Sequence, residues 1–224
     1  IDLDPQGNTT SGLGMEVDDK SVYEVIMGRM KLADVMEETE FKNLSIAGSD
    51  VRLANAELEL VEVEKREYRL KTAVQSVQQD FDFIFIDCPP SLGLLTINAL
   101  GAADSVLIPI QCEYYALEGV ASLMNTISRV KKTINPHLEI EGVLLTMLDG
   151  RTNLGLQVVD EVKKHFKKQV YATVIPRSVR LGEAPSHGEP IHVYDKRSAG
   201  CVAYVNLAKE VLKRNNIKVK EFKL

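Results

Sequence analysis

Phe81-Asp82-Phe83-Ile84-Phe85-Ile86-Asp87-Cys88-Pro89-Pro90 is the stretch that decides the fold class. Residues 81–86 are nearly all apolar, as in a central parallel strand covered on both faces. Pro89 and Pro90 stop the run and fix the loop that follows. An apolar strand ending in Asp has the shape of a Walker B motif. There the Asp87 carboxylate would hold Mg²⁺ through water beside nucleotide phosphates. By itself the pattern is weak, because many strands end in Asp.

Short apolar runs alternate with amphipathic stretches on both sides of it. Ser105–Ile110, Val143–Met147 and Val170–Ile175 read as further strands, and Tyr115–Val130, Leu154–Phe166 and Cys201–Leu212 as the helices between and after them. Nearer the start, Ser21-Val22-Tyr23-Glu24 fits a capping box that opens a helix through about Met27. A short helix is expected near Leu32–Glu38, a short strand at Asn43–Ala47, and helices over Arg52–Glu62 and Arg66–Val77. Strands alternating with helices imply βαβ units, a mostly parallel sheet and, through right-handed crossovers, helices on both faces. The expectation is an α/β fold in a single domain, 1–224, which the length of 224 residues and 45% hydrophobic content amply allow. The end, Ile217–Leu224, alternates apolar residues with Lys and Glu and fits either a frayed end or a short edge strand.

Charged residues make up 26% and the net charge is −5, which excludes a protein that grips nucleic acid with its whole surface. Nucleic-acid binding would need a local basic patch, or one assembled across an oligomer. No apolar run reaches the length of a membrane span. The opening Ile1-Asp2-Leu3-Asp4 has no leader pattern, so no signal peptide is expected. Cys88, Cys112 and Cys201 are too few and too scattered for a disulfide framework and read as free thiols in a reducing cytoplasm.

Asp2-Leu3-Asp4-Pro5-Gln6-Gly7-Asn8 is the second stretch with chemical content. Ile1 and Leu3 look like the end of a buried strand, on which Asp2 and Asp4 share a face. Pro5 and Gly7 then break the strand into a loop. Carboxylates at the C-terminal end of a parallel strand lie where open α/β sheets bind ligands, and there they orient a water or hold a metal's water shell. The same spacing also fits an ordinary strand-to-turn junction, where Asp is common.

These two stretches, together with Ser91-Leu92-Gly93, Gln111-Cys112-Glu113-Tyr114-Tyr115-Ala116-Leu117-Glu118-Gly119, Gly142-Val143-Leu144-Leu145-Thr146-Met147 and Glu183-Ala184-Pro185-Ser186-His187-Gly188, resemble the ParA/Soj family. The blocks stand in family order and cover nearly the whole chain. The family belongs to the deviant Walker A, or MinD/ParA, class of P-loop ATPases. The resemblance implies a P-loop NTPase-like fold, ATP and Mg²⁺ as cofactors, and an ATP-dependent homodimer that binds DNA nonspecifically. A ParB-type partner would stimulate hydrolysis. It also implies roles. Asp4 matches the carboxylate that positions the attacking water, and Asp2 a second acidic position nearby. Asp87 matches the Walker B aspartate. Pro176 and Arg177 match the loop against the adenine base, and Met147 ends a strand of the same pocket. Arg151 and Arg180 match positions implicated in DNA binding.

Taken singly, each of those arginines also fits a solvated side chain or a surface ion pair. Lys163, Lys164, Lys167 and Lys168 read as the solvated side of a helix whose apolar face is Leu156, Val159, Val162 and Phe166. Lys196 and Arg197 are treated the same way. His187 has no carboxylate or serine arrangement to make it a base and is expected to structure its loop. No zinc spacing and no Gly-x-Ser-x-Gly is present.

No Gly-Lys dipeptide occurs in these residues, so the phosphate-cradling loop that a P-loop ATPase carries is not among them. In the family that loop lies one βα unit before the Asp-x-Asp-Pro segment, so the first βα unit is expected to be missing. Its two lysines balance the triphosphate charge. Without them the expectation is a chain that binds ATP poorly and does not hydrolyse it, with an apolar sheet edge exposed. Two other readings stand beside the ATPase: a nucleotide-free DNA or protein adaptor, and a MinD-like membrane-surface ATPase. The latter would need a basic amphipathic C-terminal helix, so no membrane partner is expected.

Overall fold

The computed structural model describes residues 1–113 and 116–217, with side chains of 116–118 left aside. The expected edge strand or frayed end at Ile217–Leu224 therefore lies outside the described residues apart from Ile217, as does Tyr115 at the start of its helix. The chain forms two compact units. The first takes Ile1–Asp104 and Thr126–Leu138, the second Ser105–Asn125 and Glu139–Leu224.

In the first unit, α1 (Asn8–Gly12), α2 (Val22–Ile26) and α3 (Leu32–Val35) are short helices, followed by strands β1 (Met36–Glu38) and β2 (Ser45–Ala47). After them come α4 (Leu53–Glu59), α5 (Arg69–Gln75) and α6 (Leu94–Ala102). The Ser21 hydroxyl caps α2 by accepting the Tyr23 N–H. Only half of the expected capping box forms, because Glu24 turns instead to Arg29 and Arg52. Val22, Tyr23, Val25 and Ile26 are all buried, and they join Leu3, Leu53, Leu60, Leu70 and Leu95 in one core.

Two expectations fail here. The helix expected to reach Glu38 ends at Val35, because Met36–Glu38 pairs antiparallel with Ser45–Ala47 around a turn in which Asn43 takes a φ of 62°. The run Phe81–Ile86 is extended but is not a fully covered strand. It meets residues 1–3 through an Asp2–Asp87 parallel bridge, with Leu3 N–H donating to Asp87 O (2.8 Å) and Asp87 N–H to Ile1 O (2.9 Å). With so short a neighbour its side chains are half-buried at best, and Phe85 is 66% exposed. The helix α6 was not expected. Buried Asn98 ties it to the start of α5, accepting from Leu70 N–H and donating to Arg66 O and Leu94 O.

The second unit is the cleaner α/β arrangement. Strands β3 (Ser105–Gln111), β4 (Glu139–Leu148) and β5 (Val170–Pro176) form a parallel sheet in that order, and helix α7 (Ala116–Thr133), which follows β3, contributes residues to both units. Both faces of β4 are covered: Val143 and Leu145 are fully buried on one side, and Leu144 on the other. Helix α8 (Asn153–Phe166) leads into β5. Its buried stripe is Gly155, Val158, Val159, Val162 and Phe166, so the expected Leu156 lies off that stripe and is 47% exposed. The lysines of this helix are exposed, as expected. After β5 come α9 (Val179–Glu183), α10 (Ile191–Tyr194) and α11 (Ala199–Arg214). Helix α11 packs Ala203 and Leu207 against Leu144, Tyr171 and Ile175.

Arg214 closes that packing. Its guanidinium lies 3.7 Å from the Tyr171 ring centroid and donates to the carbonyls of Glu141 and Val170. Gly142 makes room for it: a Cβ there would stand 2.6 Å from both the Tyr171 ring and the guanidinium.

Candidate functional site

In the first unit the structure brings Asp2, Asp4 and Asp87 together. Asp2 is fully buried. Its Oδ1 accepts the Asp4 N–H (3.1 Å), and its Oδ2 accepts both the N–H (2.9 Å) and the hydroxyl (2.7 Å) of Thr10. The carboxylate thereby folds residues 4–10 back over the strand end. The Thr10 hydroxyl in turn accepts the Ser49 N–H (3.0 Å). Gly7, at a φ of 63°, passes so close to Ser49 that a Cβ would stand 3.2 Å from its carbonyl oxygen.

Asp4 is half-buried and accepts the Gln6 N–H through Oδ1 (3.0 Å). Asp87 is exposed, and the Thr9 hydroxyl donates to its Oδ2 (2.6 Å). The Cys88 thiol next to it is pushed up to about 12, first by burial and then by the Asp87 charge. The Ser49 hydroxyl is buried without a hydrogen-bond partner among the described residues. Among those residues no group of three or more His, Cys, Asp and Glu side chains is arranged to hold a metal by itself.

Thr9, Thr10 and Ser49 are the members of this site that the sequence did not declare. The available signal is two consecutive hydroxyls directly after the Asp-Pro-Gln-Gly-Asn turn, opening α1.

In the second unit Met147, Pro176, Arg177 and Arg151 gather at the C-terminal ends of β4 and β5. Between the pairs Leu145–Val174 and Leu148–Pro176, β4 advances three residues and β5 two, so β4 carries a one-residue bulge. Met147 lies in that bulge with a φ of 53°, strained for a side chain of its size. Beyond the bulge, the Arg177 N–H reaches Leu148 O (3.0 Å). An open groove of about 670 Å³ is lined by Leu148, Val174, Pro176, Ala199, Val202 and Asn206, among others. Pro176 lines it, whereas Met147 and Arg177 only flank it in sequence.

Each of the three arginines is engaged by a carboxylate. Arg177 pairs with Glu113. Arg151 forks onto Asp149, with Nε to Oδ1 at 2.9 Å and a second nitrogen to Oδ2 at 2.7 Å. The guanidinium and backbone N–H of Arg151 hold the Asp149 carboxyl well below the usual carboxylate range. Arg180 lies apart on α9, paired with Glu183 (2.8 Å) and Asp195 (3.5 Å). Tyr194 also donates to Glu183, and its ring stacks on His187 at 5.0 Å, so His187 structures this loop.

Comparison with known proteins sets these residues in context. A family model described as an AAA domain matches residues 1–140. The chain is 58% identical over 213 residues to the sporulation initiation inhibitor protein Soj of Bacillus subtilis (strain 168), covering 94% of this chain and 84% of that protein. It is 50% identical over 220 residues to the chromosome partitioning protein ParA of Myxococcus xanthus (strain DK1622), covering 97% and 78%. Among solved structures it is similar to cobyrinic acid a,c-diamide synthase from Mycobacterium smegmatis with bound ADP and magnesium, at a TM-score of 0.82 and 36% identity, covering 96% of this chain and 81% of that one.

Proposed function

The chain belongs to the ParA/Soj family of partitioning ATPases, and from that membership we propose that it is an ATP-dependent DNA-partitioning protein of the bacterial cytoplasm, working at the nucleoid. Both units are read as parts of one ATPase domain. The observation that carries the proposal is the aspartate group. Asp2, Asp4 and Asp87 converge at the C-terminal end of paired extended segments, inside the span of the family match.

The residues present fit the metal side of an ATP·Mg²⁺ complex. Asp87 is exposed, preset by the Thr9 hydroxyl, and, among the described residues, not part of an all-protein metal cage. That suits a cation which keeps its waters and takes its other ligands from phosphates. When bound, the nucleotide supplies the phosphoryl group and the metal neutralises its oxygens. Asp4, half-buried at the loop, orients the attacking water. Asp2 is spent on the loop backbone and Thr10, which supports a role in positioning Asp4 rather than in touching a reactant. The orphaned Ser49 hydroxyl is a spare buried donor beside Thr10.

Met147, Pro176 and Arg177 are proposed to hold the base; of the three, Pro176 lines the groove, whose apolar walls suit an aromatic ring. Arg151 and Arg180 are proposed as phosphate contacts in nonspecific DNA binding by an ATP-dependent homodimer, with a ParB-type partner stimulating turnover. The synthase likeness, at lower identity than Soj and ParA, is read as shared fold and shared nucleotide. Among the described residues no helix is long and apolar enough to cross a membrane.

These 224 residues contain no Gly-Lys pair. We therefore expect them to bind ATP poorly by themselves and to turn it over only when the first βα unit, with its Gly-Lys-Thr phosphate loop, is joined ahead of Ile1. Measuring ATP binding and phosphate release by both forms tests the reading. Tight binding by the 224 residues alone would overturn the charge argument. Inactivity of both forms would favour a nucleotide-free adaptor.

A further inference from the structure

We infer that the proposed DNA contacts are held in check by their own neighbours: Asp149 on Arg151, and Glu183 with Asp195 on Arg180, are carboxylates that a DNA phosphate must displace. The inference rests on the DNA-binding reading of the two arginines and adds the regulation of that surface. Its ground is the pairing geometry. Arg151 presents two nitrogens to the two oxygens of Asp149, the same fork a guanidinium offers a phosphate. Arg180 gives one nitrogen to Glu183 and another to Asp195.

The exposures fit a displaceable latch. The Arg151 side chain is 89% exposed, while Asp149 is 24% exposed and is further fixed by the Arg151 N–H. The carboxylate therefore stays anchored to its loop while the guanidinium can swing to an incoming ligand. Glu183 is anchored in the same way by the Tyr194 hydroxyl. Exposed pairs of this kind are weak and salt-sensitive, so they tune the surface rather than block it.

The test is binding of a fluorescein-labelled duplex of random sequence, with and without the phosphate loop joined ahead of Ile1 and with ATP present. Asp149→Asn and Glu183→Gln keep the side-chain oxygen that anchors each loop but remove the charge. Each is expected to tighten binding by about two- to fivefold. Asp160→Asn, which removes the same charge from the exposed face of α8, serves as the control and should change binding less. Arg151→Ala should weaken binding, and in that background Asp149→Asn should bring no gain. Unchanged far-UV dichroism and melting temperature confirm that each variant is folded. Equal effects of Asp149→Asn and Asp160→Asn, or a gain that persists without Arg151, would overturn the latch while leaving DNA binding intact. Failure of every form to bind DNA would overturn the DNA reading, and the latch with it.

Discussion

Asp2 and Asp4 stand two residues apart and do different work. Asp2 satisfies three donors from a fully buried position, so Asp2→Asn leaves at least one of them facing an amide that cannot accept as the carboxylate did. We expect a loss of about 2 kcal/mol or more in urea unfolding. Asp4→Ala, at a half-buried loop position, should cost little stability and lower ATP turnover by about a hundredfold or more in the form carrying the phosphate loop. The Cys88 thiol gives a second check at this scale. Its ordinary value is 9.0 and folding raises it to about 12. The folded state keeps the neutral thiol, so this contribution to stability is fully present below 9 and is lost as the pH rises toward 12. At pH 8 iodoacetamide should label Cys88 slowly in the folded protein and promptly in urea, and prompt labelling of the folded protein would contradict the raised thiol value. The aspartates could be picked out in the sequence because resemblance reinforced a pattern that is weak by itself, since many strands end in Asp. Thr9, Thr10 and Ser49 could not, since a hydroxyl declares its role only through the donor or acceptor the fold puts opposite it.

At the scale of elements, legibility followed the shape of the apolar pattern. Helices α8 and α11 bury one stripe each and were readable from period alone. Helix α6, Leu-Leu-Thr-Ile-Asn-Ala-Leu-Gly-Ala, is apolar almost all round and buries Leu95, Asn98, Ala99, Leu100 and Gly101, so it has no stripe to read. Met36–Glu38 shows the converse, because it continues a helical spacing but joins β2 through long-range pairing that no local pattern encodes. The bulge at Met147 was equally invisible, since a positive φ at Met has no sequence signature. The junction of β4, β5 and α11 supplies the prediction at this scale. Gly142→Ala puts a methyl 2.6 Å from the Tyr171 ring and from Arg214, and neither can withdraw without breaking the guanidinium–ring contact. We expect a loss of about 1–3 kcal/mol, read as a lower urea midpoint. A neutral result would mean that Arg214 is a surface decoration rather than a clasp.

For the whole molecule, a net charge of −5 sets the terms on which it can meet DNA. The net charge as a whole does not attract DNA, so binding has to come from a few local contacts and should fade quickly with salt. Removing Arg151 or Arg180 should make the plot of log affinity against log salt shallower by about 0.9 per lost phosphate contact. An unchanged slope would remove that arginine from the interface. The outer rim of β5 carries a different consequence. Between Val170 and Val174 the strand runs two residues ahead of β4, and in that surplus the N–H groups of Ala172 and Thr173 turn to the carboxylate of Glu210, which Arg214 holds in place. A sheet that ends in bare N–H groups is a template onto which another chain can crystallise its own strand. Here two of those groups are already stoppered by a charge that a foreign backbone carbonyl would have to evict, so this border of the sheet is sealed against fibre growth, and Glu210→Ala should reopen it as time-dependent light scattering at high protein concentration.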